Sequence, residues 1–184
     1  MEKKKELENL AGESELAIAN GVAVRAMTII CSIISLAYIA EIFKHSRTVL
    51  YVAVTVILCM APVILGWIAY SRQKDSQLVK HIVAAGYAVM YCYVLFTTVN
   101  SLVFTYVIPM LIIVTLYGEL KYTIMIGTGV IVVNIAEIIL KFVTTEVPKS
   151  EYATYEIQGL VIVLIVCYFI WVSSASARFE KIRM

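Results

Sequence analysis

Residues 101–143 hold two apolar runs, SLVFTYVIPMLIIVTLYG and TIMIGTGVIVVNIAEIILKFV, separated by the short break ELKY. Each run is about long enough for one membrane crossing, and so short a break cannot carry the chain back across a bilayer. Backbone inside hydrocarbon must satisfy its own polar groups, which leaves helices for an open chain. The two runs therefore predict a helical hairpin that turns at one membrane face.

The rest of the chain repeats this design. Of 184 residues 61% are hydrophobic and 15% charged, too much apolar surface and too few charges for an ordinary soluble domain. A net charge of +2, with basic residues placed between apolar runs, gives no stripe for nucleic acid, and no nucleic-acid partner is expected. The lipid bilayer is the expected surrounding. Six spans are predicted, at residues 22–43, 49–70, 79–97, 101–117, 122–143 and 158–174. Residues 79–117 as one helix would need roughly 58 Å of hydrocarbon, so the chain is expected to turn at Asn100. Pro62 and Gly66 predict a kink in the second span, and Pro109 a bend in the fourth.

Lys and Arg fall on alternate sides of these spans as eleven against four, the minority being Lys44, Arg47, Lys141 and Lys149. The positive-inside rule then puts both termini in the cytoplasm. Residues 1–20 mix lysines and glutamates with Leu7, Leu10 and Leu16 at rough helical spacing, which fits a short amphipathic helix or a solvated leader.

No enzyme and no cofactor are expected. His45 and His81 lie in different connections, and Cys31, Cys59, Cys92 and Cys167 are spread one to a helix without metal-ligand spacing, so buried thiols are the better reading. Gly127 and Gly129 sit inside an apolar helix, where small residues let neighbours approach.

One polar group rises above this background. Asn134, Glu137 and Lys141 share a face of the fifth span, and Glu137 lies about 9 Å inside its outer end at 1.5 Å per residue. Two readings stand: the face lines an outward-open, partly hydrated pocket, or Glu137 pairs with Lys141 and snorkels to the interface. The same outer layer is expected to collect Tyr38 and Glu41 from the first span, Asn100 from the turn and Tyr106 from the fourth, with Tyr51, Tyr152 and Tyr155. These seven, Asn134, Glu137, Lys141, Glu41, Tyr38, Asn100 and Tyr106, are the candidate ligand-binding residues. Tyrosines also form the ordinary interfacial belt.

Apolar residues around Pro109, followed by Tyr117-Gly118-Glu119-Leu120-Lys121, resemble the fourth and fifth helices of the six-helix membrane sensor regions of some bacterial methyl-accepting chemotaxis proteins. The tail after Trp171, VSSASARFEKIRM, continues without Gly or Pro and resembles the exit of a chemoreceptor's last membrane helix toward its signalling helices. The resemblance implies an all-α fold, a polytopic membrane protein built as a six-transmembrane-helix bundle. It implies a cytoplasmic leader at 1–20, a membrane sensor domain at 21–175 and the start of a cytoplasmic signalling helix at 176–184. It also implies the bacterial inner membrane, a homodimer or higher homo-oligomer, and cytoplasmic signalling proteins as partners of an output region beyond Met184. The alternative expectation is a substrate-binding subunit of an energy-coupling-factor vitamin transporter, for which Ala19 and Ala23 resemble a small-residue docking surface.

Overall fold

The computed structural model describes residues 14–98, 100–145 and 147–183, with residues 101 and 179–183 described by their backbone alone. Among the described residues every regular element is helical. The elements are α1 (Glu15–Phe43), α2 (Val49–Arg72), α3 (Gln77–Thr97), a 3-10 helix (Ser101–Tyr106) running into α4 (Val107–Thr115), α5 (Leu120–Thr144), a 3-10 turn (Lys149–Glu151) and α6 (Tyr152–Arg183). Five of them, α1, α2, α3, α5 and α6, are long and apolar enough to cross a membrane. The chain forms two compact units, residues 1–89 and 90–184, whose boundary falls within α3.

In the first unit α1 and α2 form an antiparallel hairpin. Ser14 caps α1, its Oγ accepting from the Ala17 N–H at 3.2 Å, and Thr48 caps α2 through the Tyr51 N–H at 3.3 Å. The helix therefore starts at Glu15, and residues 15–20 of the expected leader belong to α1; residues 1–13 lie outside the described residues. Between the helices the Trp67 indole N–H donates to Thr28 Oγ1 at 2.9 Å, and the Tyr38 and Tyr51 rings stand 6.0 Å apart. Asn20, fully buried, donates from Nδ2 to the carbonyls of Lys74 (2.8 Å) and Ser76 (3.0 Å), tying the start of α1 to the α2–α3 connection. Where α2 meets α3, Gly86 lies directly against Pro62.

α1 is apolar all round. Val24, Met27, Cys31, Ile34 and Tyr38 are buried at helical spacing, while Ile29, Ile33 and Leu36 on another face are exposed. A helix whose outer face is also apolar is suited to lipid and not to water. Of the cysteines, Cys31 and Cys59 are buried and meet each other, Cys92 is half-buried, and Cys167 is exposed, so the reading of buried thiols fails at Cys167.

In the second unit α5 and α6 are again antiparallel. Thr123 and Ser173, both buried, share a hydrogen bond of 3.0 Å at one end, and Gln158 Nε2 donates to Glu137 Oε2 at 3.0 Å at the other. Between these links Gly127 packs so closely on Val166 that a Cβ would come within 2.7 Å of Cγ1; beside Gly129 nothing lies within 4 Å. Close approach is thus the role of Gly127 and not of Gly129. The turn from α4 to α5 passes through Gly118 at φ 64°, a conformation strained for residues with a Cβ.

The segment expected as a fourth regular helix departs most from expectation. Asn100 Oδ1 accepts from the Leu102 N–H at 2.9 Å and starts a 3-10 helix, and α-helix begins only at Val107. Pro109 favours this arrangement: it has no N–H for the Thr105 carbonyl, and α-helix starts at Val107, which leaves the proline in the first turn, where it is tolerated. The apolar part, Leu102–Thr115, is shorter than the five long helices. The last helix differs in the other direction. It begins at Tyr152, six residues before the expected start at Gln158, which shortens the preceding connection.

Candidate functional site

The polar face of α5 is assembled as its spacing predicts, and the fold adds partners from α3 and α6. Asn134 is buried; its Nδ2 donates to the Val130 carbonyl at 2.8 Å, and its Oδ1 accepts from the Tyr91 hydroxyl at 2.9 Å. The same hydroxyl stands 3.4 Å from the Phe104 carbonyl, so Tyr91 fastens α5 and the 3-10 segment together. One turn further along α5, Glu137 is 1% exposed. Such burial demands compensation for a carboxylate. Lys141 Nζ lies 2.5 Å from Oε1, and Gln158 Nε2 supplies the 3.0 Å bond to Oε2.

Lys141 keeps about a fifth of its side chain exposed, and its Nζ stands 5.6 Å over the Tyr155 ring. Tyr155 in turn packs on Phe142, which also touches Tyr152, with centroids 5.5 and 5.2 Å apart. Beside this cluster opens a pocket of about 430 Å³. Glu137, Lys141, Glu151 and Tyr155 line it, with Phe96 and Leu140 among its apolar walls. Glu137 thus pairs with Lys141, and the pair borders a pocket.

No protein-family model, curated protein or solved structure matches this chain.

The other predicted residues are placed elsewhere. Asn100 caps the 3-10 helix, and Tyr106, half-buried, closes it; neither lines the pocket. Tyr38 and Glu41 belong to the first unit, where Tyr38 is buried against Tyr51, and Glu41 accepts from Ser46 Oγ at 2.6 Å and lies 4.0 Å from Lys44. Both serve the α1–α2 turn, with Arg47 stacked 4.8 Å over Tyr51. Ala23 is fully buried in the same unit, and Ala19 is half-buried.

Tyr91 and Gln158 escaped sequence reasoning. Gln158 sits where an apolar run begins and reads as an interfacial residue, and Tyr91 is one of twelve tyrosines in the chain, each of which fits the belt. A glutamine at the head of an apolar run, 21 residues from a carboxylate inside another apolar run, was the available signal. Among the described residues no three His, Cys, Asp or Glu side chains gather as a metal site. What the groups present can do is bind: a charged pair, a second carboxylate and an aromatic face surround a space of ligand size.

Proposed function

We propose that the chain is the membrane-embedded sensor module of a bacterial receptor of the chemoreceptor type, lying in the cytoplasmic membrane with six crossings and both termini inside. The observation that carries this reading is the continuity of α6. It borders the pocket at Tyr155, holds Glu137 through Gln158, and then runs unbroken to Arg183. Its 32 residues span about 48 Å at 1.5 Å per residue, against about 30 Å of hydrocarbon. A ligand that binds one packing of the pocket better than another shifts the balance between them, and a stiff helix carries the shift to the opposite face. There it acts on a cytoplasmic output domain and its signalling proteins, in a receptor that works as a homo-oligomer.

Six crossings are supported by the geometry of the short segment. Six 3-10 residues at about 2.0 Å and nine α residues at about 1.5 Å give about 25 Å, close to a crossing although the segment is not one regular helix. With single cysteines introduced into a variant lacking the native four, residue 149 is expected to label from outside the cell and residue 74 only after the membrane is opened. The reverse pattern would overturn the orientation.

Signal transmission is tested with the chain joined to its output domain. One to four alanines inserted after Ala177 rotate everything beyond by 100° each, so output is expected to change with insert length and to recover most nearly at four. Output indifferent to the insert would reduce α6 to an anchor and remove the mechanism.

A further inference from the structure

We infer that the pocket beside Glu137 takes a small organic cation, an ammonium group carried on an apolar body. This deepens the sensor reading, on which it rests, by naming the chemistry of the ligand. Among the described residues the ionisable groups of like and unlike sign lining the pocket are Glu137, Lys141 and Glu151, which leaves one negative charge in excess. The excess falls on Glu151, because Lys141 is held 2.5 Å from Glu137. No hydrogen bond or ion pair engages the Glu151 carboxylate among the described residues. Glu151 also stands just ahead of Tyr152, the first residue of α6. The positive end of that helix is equivalent to about half an elementary charge, so it offsets part of a full carboxylate and not all of it.

The aromatic partner lies on the same side. Glu151, the last residue of the 3-10 turn, and Tyr155, in the first turn of α6, are four residues apart, and both line the pocket. The Tyr155 ring already holds a cation, the Lys141 ammonium, over its face at 5.6 Å. A carboxylate and a π face together are the recognition chemistry of an ammonium group. Phe96, Leu140 and Pro148 supply apolar wall for the remainder of the ligand. At about 30 Å³ per non-hydrogen atom, the volume one water occupies in the liquid, 430 Å³ holds about fourteen such atoms.

An anion would face Glu151 and find Lys141 already paired. A cation drawn between Glu151 and Tyr155 instead competes with Lys141 for the Tyr155 face and so acts on the Lys141–Glu137 pair. Because Glu137 is bonded to Gln158, that change is felt on α6. The ligand's charge is thereby connected to the helix that leaves the membrane.

The test uses three probes of nearly equal size, phenethylammonium, 2-phenylethanol and phenylacetate, titrated calorimetrically into the full chain in lipid nanodiscs, with empty discs subtracted. Phenethylammonium is expected to bind saturably, and the alcohol and the acid at least about tenfold more weakly. Glu151→Gln, which keeps the side chain's size, is expected to weaken phenethylammonium about ten- to a hundredfold and to leave 2-phenylethanol unchanged. Phenylacetate bound as tightly as phenethylammonium, cation affinity untouched by Glu151→Gln, or no binding by any probe would each overturn the inference. Preference for the anion would leave the sensor reading standing. Cation binding combined with output indifferent to the alanine inserts would sink the sensor reading and keep the cation site.

Discussion

Lys141→Met is expected to destabilise the protein by about 3–5 kcal/mol, because it strands the Glu137 carboxylate, 1% exposed, without its cation. The remaining bond from Gln158 cannot replace a charge partner. The pair need not be strongly stabilising in itself, since burying both charges costs desolvation that their attraction roughly offsets. Hence Glu137→Gln combined with Lys141→Met is expected to recover most of the loss: the amide has no charge to strand, and its carbonyl oxygen can still accept from Gln158. Thermal unfolding of the purified protein in a mild detergent measures both variants. A double variant no more stable than Lys141→Met would mean that Lys141 contributes through its packing on Tyr155 and not through charge.

Gly86→Ala is the second large effect. A Cβ at residue 86 would overlap the Cβ of Pro62 and come within 2.9 Å of its Cγ and 3.4 Å of its Cα. A proline ring cannot swing aside, so the helices themselves must separate, at about 1–3 kcal/mol for overpacking of this kind. Elsewhere in a helix the same substitution gains up to about 1 kcal/mol of helix propensity. Gly129→Ala, where nothing lies within 4 Å, supplies that contrast and is expected to leave stability unchanged or raise it. Combining Gly86→Ala with Pro62→Gly moves the small residue to the facing helix and is expected to restore part of the loss, as a coupling between residues in contact. Equal melting temperatures for Gly86→Ala and the parent protein would show that α2 and α3 do not approach at this point.

The chain's membrane character was legible from run length and all-round apolarity, since both are properties of a segment taken alone. Five helices long and apolar enough to cross bear this out; the chain turns between α4 and α5 at Gly118, just ahead of the expected ELKY break, of which Leu120, Lys121 and Tyr122 already belong to α5. The polar face of α5 was equally readable, because Asn134, Glu137 and Lys141 lie within two turns of one helix. The bounds of α1 and α6 were not, because caps such as Ser14 act through single hydrogen bonds that hydropathy does not register. Nor was the 3-10 helix before α4, because an apolar run reads alike in 3-10 and α form, and Pro109 is compatible with α-helix that starts just before it. What α5 faces was decided by tertiary structure alone. The antiparallel setting of α5 on α6 brings Gln158 to Glu137 and Ser173 to Thr123, and the return of α3 brings Tyr91 to Asn134. These partners stand 21, 50 and 43 residues apart in the chain. Their meeting depends on how far helices slide along one another, and local patterns of hydropathy and spacing carry no information about that register.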